Sequence, residues 1–164
     1  MPAPVDAALI ADMFDRHGAA LALYAAQWTA AADDCVQEAL VELARQQTAP
    51  DNPPAWLYRV VRNRALNAAR AARRRAAHEQ TAVEMHGERR VSDAGPAAKA
   101  ELADLLATLE PEGREIVMLR IWGQLAWREI AEVTGSSASS AQRQYVQALQ
   151  QLRQHWEPKE CPTN

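Results

Sequence analysis

The sequence predicts an all-α protein of two small helical domains joined by a flexible linker, with a helix-turn-helix in the second domain. Alanine, leucine, glutamine and arginine dominate the chain, and no segment alternates as a β-strand does. Aromatic residues make up only 5% of the 164 residues, which favours two small cores over one large core. Helical periodicity fades between His78 and Pro96. We therefore expect domains at residues 1–77 and 97–164 and a linker at residues 78–96.

Three helices are predicted in the first half. The first runs from about Asp6 to Trp28, as one helix or as two short helices broken near Gly18, with an apolar face of Leu9, Met13 and Phe14. The second begins near two acidic residues, which suit the positive end of a helix dipole. Its buried stripe is Val36, Ala39, Leu40 and Leu43. The third runs from about 55 to 77, after a proline-rich loop.

Four helices are predicted in the second half. The first spans about 97–109, and the second begins at Pro111 and ends near Gly123. A short helix at Trp127–Thr134 is followed by Gly135, by a serine-rich turn and by a final helix that begins near Ser139. Because glycine permits a left-handed backbone, Gly135 lets the chain turn sharply there.

The last two helices have the spacing of a helix-turn-helix, whose second helix enters the major groove of DNA. Serine hydroxyls and free amides at the start of the final helix could hold phosphate, and glutamine and arginine can pair with base edges. The candidate DNA-binding residues are Ser139, Ser140, Gln142, Arg143, Gln144 and Gln147. An ordinary helical hairpin with a solvated polar face also fits this pattern.

Two charged helices precede this motif. Residues 1–55 carry a charge of −6 and residues 56–92 a charge of +6, although the whole chain is only −3. Seven arginines fall between Arg59 and Arg75, beside Trp56 and Tyr58, a combination that suits phosphates and unstacked bases. An acidic face follows from the spacing of Asp34, Glu38 and Glu42 and would attract a basic partner. The alternative is that these arginines and acids pair with each other or are simply solvated.

Other classes of function lack support. No phosphate-binding glycine loop, activated nucleophile or paired catalytic carboxylate is recognisable, so we expect no catalytic residue and no enzyme activity. The two cysteines and four histidines lack metal-ligand spacing, so no metal and no cofactor is expected. Neither a signal peptide nor a membrane span is visible, which makes a cytoplasmic protein that does not bind membranes the default expectation.

Together these segments resemble the extracytoplasmic-function (ECF) group of bacterial RNA polymerase sigma factors. Three stretches carry the resemblance, in the family's order: DDCVQEALVELA (Asp33–Ala44), PAWLYRVVRNRALNAARAARRR (Pro54–Arg75) and LATLEPEGREIVMLRIWGQLAWREIAEVTGSSASSAQRQYVQALQQLR (Leu106–Arg153). The resemblance covers most of the chain and has a linker where the family has one. It differs from the family in the final helix, which carries glutamines where several basic residues are usual.

The resemblance implies a role for each stretch. The first would dock on the clamp of core RNA polymerase through Asp33, Asp34, Gln37 and Glu38. The second would melt and bind the −10 promoter element through Trp56, Tyr58, Arg59, Arg62, Asn63, Asn67 and Arg70, and the loop at Gln47–Pro53 would hold a flipped-out base. The third would bind the −35 element through its helix-turn-helix. The family also makes an anti-sigma factor a plausible partner.

Three hypotheses follow. The leading one is a sigma factor that directs core polymerase to promoter DNA and assists melting, without covalent chemistry. The alternative is a stand-alone helix-turn-helix regulator that binds duplex DNA, against which the glutamine-rich face and the lack of an obvious dimer helix argue. The third is an interaction protein that uses the acidic face and has lost DNA binding.

Overall fold

The computed structural model describes residues 4–79 and 96–156, with only the backbone of residues 96–99. These ranges contain seven helices and no β-strand: α1 (Ala7–Ala25), α2 (Ala32–Ala44), α3 (Pro53–His78), α4 (Pro96–Ala107), α5 (Pro111–Ile121), α6 (Trp127–Thr134) and α7 (Ala138–Trp156). The chain divides into two compact units, Met1–Asp93 and Ala94–Asn164. The predicted all-α, two-part architecture is therefore confirmed. Most of the segment predicted to be the linker lies outside the described residues.

α1 is one continuous helix, which decides between the two possibilities at Gly18. The Asp6 side chain caps its first turn by accepting a hydrogen bond from the Leu9 amide at 2.8 Å. Gly18 is buried, and a Cβ there would lie 3.3 Å from Cδ2 of Phe14. The Phe14 ring lies beside this glycine but is 58% exposed, so its predicted place on the buried face is wrong. Met13, in contrast, is buried as predicted.

The first unit is a bundle in which α1, α2 and α3 all pack against one another. The predicted buried stripe of α2 is confirmed, and it meets α1 and α3 in a single core. Burial of each large apolar side chain contributes roughly 1.5–3 kcal/mol to folding. The residues of this core with no exposed surface are Leu21, Tyr24, Ala25, Ala39, Leu43, Leu57, Tyr58, Val61 and Ala65.

α3 begins at Pro53, at the end of the proline-rich loop and two residues before the predicted start. The Asn52 side chain accepts a hydrogen bond from the Ala55 amide at 3.2 Å, and Pro53 and Pro54 occupy the first turn, where a missing N–H costs nothing. The last buried residue of α3 is Ala69, although the helix continues for nine further residues to His78. The end of α3 therefore lacks a buried face.

The second unit is built around α5, which contacts α6 and α7. Its five consecutive residues Glu115–Leu119 are all buried, so this short helix is surrounded rather than amphipathic. Arg114 connects it to the end of α4, because its guanidinium donates to the carbonyl oxygens of Leu106 (2.8 Å) and Leu109 (3.0 Å). These bonds satisfy carbonyls at a helix end that would otherwise lack partners. Among the described helices, none combines the length and hydropathy that a membrane crossing requires.

Candidate nucleic-acid and partner interfaces

α6 and α7 form the predicted helix-turn-helix, with a turn of three residues between them. Gly135 has φ +72°, and its amide and that of Ser136 both donate to the Ala131 carbonyl, at 2.9 and 3.1 Å. Ser137 caps α7: its Oγ accepts a hydrogen bond from the Ser140 amide at 3.1 Å. The turn is therefore closed by its own hydrogen bonds, which fixes the direction in which α7 leaves it.

An aromatic contact holds α6 against α7, and a capping pair fixes the first turn of α6. The rings of Trp127 and Tyr145 meet edge to face, with centroids 5.2 Å apart. The Arg120 guanidinium lies over the Trp127 ring at 4.6 Å and donates to the Leu125 carbonyl at 2.7 Å. Glu129 accepts from the Ala126 amide at 2.7 Å, which ties down the first turn of α6. These contacts fix α7 on α6, so the outward face of α7 is held in a defined position.

The outward face of α7 is a shallow polar surface with one apolar side chain in its middle. It is lined by Ser139, Gln142, Arg143, Val146 and Gln147. The two other predicted residues, Ser140 and Gln144, are only half-exposed because they lie toward the packed side of the helix. Val146 is 48% exposed, and as an apolar residue on a helix that also buries apolar side chains it carries no sequence signal of a binding role. A valine there can make an apolar contact with the methyl group of thymine.

Five of the seven predicted −10 residues form one stripe along α3. Trp56, Arg59, Asn63, Asn67 and Arg70 follow one another at intervals of three or four residues, so they lie on the same side of the helix. The last four are exposed and Trp56 is half-exposed. The Arg70 guanidinium donates to the Asn67 side chain at 3.1 Å, which orients both groups. We call these five residues the α3 stripe.

Tyr58 is not on this stripe, and its predicted role in DNA binding is wrong. Its side chain has no exposed surface and packs edge to face against Tyr24, with ring centroids 5.1 Å apart. Its hydroxyl is buried, with no hydrogen-bond partner in the described structure, and burial raises the pKa of that hydroxyl well above its usual range. On a helix, the residue two positions after Trp56 points elsewhere, and here it points into the core.

Arg62 lies beside the α3 stripe and contacts Trp28, a residue that the sequence analysis did not place near this surface. The guanidinium carbon of Arg62 is 5.9 Å from the centroid of the Trp28 ring, within the range of a cation–π contact. The Trp28 ring itself packs edge to face on Tyr24, at 5.0 Å. Trp28 follows the end of α1, and neither periodicity nor motif marks it in the sequence.

The acidic face of α2 is partly engaged within the protein. Glu38 and Glu42 each accept a hydrogen bond from the Arg64 guanidinium, at 2.6 Å. These contacts raise the pKa of Arg64, the hydrogen bond with Glu42 most of all. The alternative in which acids and arginines pair with each other is therefore confirmed for Arg64.

The remaining members of the predicted docking face, Asp33, Asp34 and Gln37, are exposed, and the two aspartates form no ion pair with any described residue. Val41 is also 49% exposed on this side of α2, between the positions of Gln37 and Arg45. The face therefore combines acidic, amide and apolar groups. Such a mixture is typical of a surface that binds a protein.

Comparisons with known proteins match both units. The family model of sigma-70 region 2 matches residues 13–75, and that of sigma-70 region 4 matches residues 99–152. The first match covers most of α1, all of α2 and most of α3, and the second runs from α4 into α7. The two regions thus occur in the order that the sequence motifs predict.

Individual relatives agree. The ECF RNA polymerase sigma factor SigL of Mycobacterium tuberculosis is 30% identical over 162 residues, which covers 92% of this chain and 90% of SigL. The RNA polymerase sigma-E factor of Streptomyces avermitilis is 36% identical over 64 residues, 39% of this chain and 36% of that protein. A solved structure of CnrH in complex with the cytosolic domain of CnrY is 25% identical, with a TM-score of 0.59, and covers 92% of this chain and 88% of that chain.

These matches favour the sigma factor over a stand-alone helix-turn-helix regulator, because they include the first unit as well as the helix-turn-helix. A near full-length relative at this identity decides the family. The chain belongs to the ECF family of bacterial RNA polymerase sigma factors, subunits that direct core polymerase to promoter DNA.

Proposed function

We propose that three surfaces of this sigma factor divide the work of promoter recognition. The exposed face of α2 docks on the polymerase clamp, the α3 stripe binds the melted −10 element, and the outward face of α7 binds the −35 element. The free energy for strand separation comes from binding unpaired bases and phosphates. In this proposal the chain catalyses no covalent step and acts in the cytoplasm, where polymerase and promoter DNA are found.

The α3 stripe is the observation that carries the proposal furthest. Arginines can neutralise phosphates, asparagine amides can pair with base edges, and the half-exposed Trp56 ring offers a surface for stacking. All three chemistries lie on one face of one helix. The packed core behind Tyr58 and Val61 holds this helix rigid, so the groups are positioned before DNA arrives.

The −35 contact is expected to be weak by itself. Among the residues that line the outward face of α7, only Arg143 is charged. Because phosphate contacts supply much of the affinity of a DNA-binding module, this unit depends on the polymerase and on the α3 stripe to stay on the promoter.

The test uses holoenzyme assembled from core polymerase and the full chain. Binding is measured to a single-stranded oligonucleotide with a matched −10 element and to a scrambled one. The double variant R59A/N63A should lower the preference for the matched sequence about tenfold or more, since each lost base contact removes discrimination. Arg16→Ala, an exposed arginine of α1, is the matched control and should leave the preference unchanged. An unchanged preference in R59A/N63A would contradict the assignment of the α3 stripe.

We also propose that an anti-sigma factor holds this chain inactive. The solved relative CnrH was captured with the cytosolic domain of CnrY, which supports a protein partner for this chain as well. A host protein that binds the purified chain and prevents it from joining core polymerase would support the proposal. Full activity of the chain in its host at all times, without such a protein, would oppose it.

A further inference from the structure

Arg64 of α3 connects two carboxylates of α2. Its Nη1 donates to Oε2 of Glu38 and its Nη2 to Oε2 of Glu42, each at 2.6 Å. The two glutamates are four residues apart, so they lie on the same side of α2. The planar guanidinium group presents its donors in a fixed fork, and here that fork spans one turn of the neighbouring helix. Arg64 therefore binds both glutamates at the same time.

Arg64 is held more firmly than the glutamates that it binds. Its side chain is 33% exposed, whereas those of Glu38 and Glu42 are 62% and 41% exposed. On α3, Val61 precedes it by three residues and Ala65 follows it directly, and neither of these has any exposed surface. The guanidinium group is thus the fixed end of each bond, and the glutamate side chains are the groups that it orients.

Glu38 also belongs to the exposed face of α2 that is proposed to dock on the clamp. It follows the exposed Asp34 by four residues and lies on the same side of the helix. Arg64 binds Oε2 of Glu38, and Oε1 takes part in neither of the two bonds. Because an ionised carboxylate accepts several hydrogen bonds, Glu38 can bind a basic group of a partner without releasing Arg64. Glu38 therefore links Arg64 to the docking face.

Without Arg64, this part of the face would be less well prepared for a partner. Asp34, Glu38 and Glu42 follow one another at intervals of four residues, and like charges at that spacing repel. An exposed glutamate also samples several rotamers, and a partner that binds one of them must offset the lost side-chain entropy. Arg64 reduces the repulsion and fixes the rotamer of Glu38 before a partner binds.

We propose that Arg64 is a positioning residue for polymerase docking, which holds the Glu38 carboxylate in the orientation that a basic group of the clamp binds. The inference rests on the proposed function, in which the α2 face docks on the clamp. It adds a residue of α3 that contacts neither the clamp nor DNA. Two other roles compete with this one: Arg64 only fastens α2 to α3, or it shields the acidic face from the clamp.

The test measures the affinity of the full chain for core RNA polymerase in a double-mutant cycle of R64A and E38A. We expect R64A to weaken binding about fivefold and E38A to weaken it at least as much. The double variant R64A/E38A should bind no more weakly than E38A, since Arg64 acts only through the Glu38 carboxylate. Loss of a cation makes the α2 face more negative, so a long-range charge effect alone would instead tighten binding to a basic clamp.

Two variants serve as controls. Arg16→Ala removes an arginine of α1 that pairs with Asp12 at 2.7 Å, and it should leave the affinity for core polymerase unchanged. Glu42→Gln breaks one bond between α2 and α3 but leaves Glu38 bound to Arg64, so it should weaken binding less than R64A does. Circular dichroism and urea unfolding give the folded fraction of each variant. A loss caused by unfolding would appear equally with and without Glu38.

Three results would overturn the proposal. An equal loss from R64A in the presence and in the absence of Glu38 would mean that Arg64 only fastens the two helices, and so would a loss in Glu42→Gln as large as that in R64A. Unchanged or tighter binding by R64A would mean that Arg64 has no part in docking or shields the face.

The docking face itself is tested by D33A/D34A, because neither aspartate forms an ion pair with Arg64. If D33A/D34A weakens binding to core polymerase and R64A does not, the proposed function stands and the role of Arg64 is wrong. If D33A/D34A and E38A both bind as the wild type does, the docking face is wrong and the role of Arg64 falls with it.

Discussion

Tyr58 shows how one buried side chain organises the first unit. Its ring meets Tyr24 edge to face, and the ring of His17 lies 6.4 Å away in a similar arrangement. Such aromatic pairs contribute roughly 0.5–1.5 kcal/mol beyond the area that they bury. The hydroxyl, in contrast, is buried without a partner in the described structure, an arrangement that costs free energy. The ring and the hydroxyl therefore have opposite effects on stability.

This difference gives a prediction for Tyr58. Tyr58→Phe removes only the unpaired hydroxyl and should leave the free energy of unfolding unchanged or raise it by about 1 kcal/mol. Tyr58→Ala removes the ring and should lower it by about 3–5 kcal/mol. Urea unfolding of the full chain measures both. If Tyr58→Phe instead lost −10 binding at unchanged stability, the hydroxyl would contact DNA and the buried placement would be wrong.

His17 predicts a dependence of stability on pH. Burial mainly lowers its pKa, Arg16 lowers it further, and Asp12 raises it. The unfolded chain therefore takes up the proton first as the pH falls below about 6.5. Stability is complete above that pH, falls as the pH drops toward the lowered pKa of the folded state, and levels off below it. Tyr58, which lies against His17 from α3, stays neutral throughout this range.

The comparison that isolates His17 is a pH series of urea unfolding for the wild type and His17→Gln. Between pH 7 and pH 5 the wild type should lose more stability than the variant, since glutamine cannot titrate. Equal slopes for the two proteins would mean that His17 is protonated equally in the folded and unfolded chains.

At the scale of elements, periodicity predicts the helices that bury one stripe, such as α2. α5 is buried over five consecutive residues, and its prediction depends on Pro111 at its start and Gly123 after its end. The surroundings of individual residues were harder to predict. The position of Phe14 on α1 looks buried until the packing partner is known, and Gly18 does not interrupt a helix that tertiary contacts stabilise. Trp28 reaches Arg62 only because α1 and α3 lie side by side, a contact that no local pattern reports.

The turn between α6 and α7 depends on the conformation of one residue. Gly135 has φ +72°, and a Cβ there would meet no atom within 4 Å, so any cost of substitution comes from the backbone alone. Gly135→Ala should lower the free energy of unfolding of the second unit by about 1–2 kcal/mol. Gly135→Asn should cost less, because asparagine tolerates the left-handed region better. Thermal unfolding of both variants tests this, and an alanine variant as stable as the wild type would refute it.

At the scale of the whole molecule, the opposite charges of the first 92 residues partly pair with each other and partly remain exposed. Arg64 brings Glu38 and Glu42 of α2 against α3. Asp33, Asp34 and the exposed arginines of α3 (Arg59, Arg70, Arg73, Arg74 and Arg75) form no ion pair among the described residues. The sequence predicted both charged surfaces but not this division. Which acid pairs with which arginine depends on how α2 and α3 pack.

In the proposed function, the two units divide DNA binding unequally. The first carries the α3 stripe and the exposed Arg73, Arg74 and Arg75, and the second presents a face with glutamines, one valine and one arginine. Because affinity in such contacts follows the number of neutralised phosphates, the first unit should contribute most of the binding and the second should mainly refine promoter choice.

The most direct test of the central claim is run-off transcription with purified core RNA polymerase, the full chain and a promoter library. The account predicts defined transcripts that require the chain, persist with Arg16→Ala and are lost or lose promoter selectivity with R59A/N63A. The absence of chain-dependent transcripts from every promoter, together with tight duplex binding by the chain alone, would contradict it.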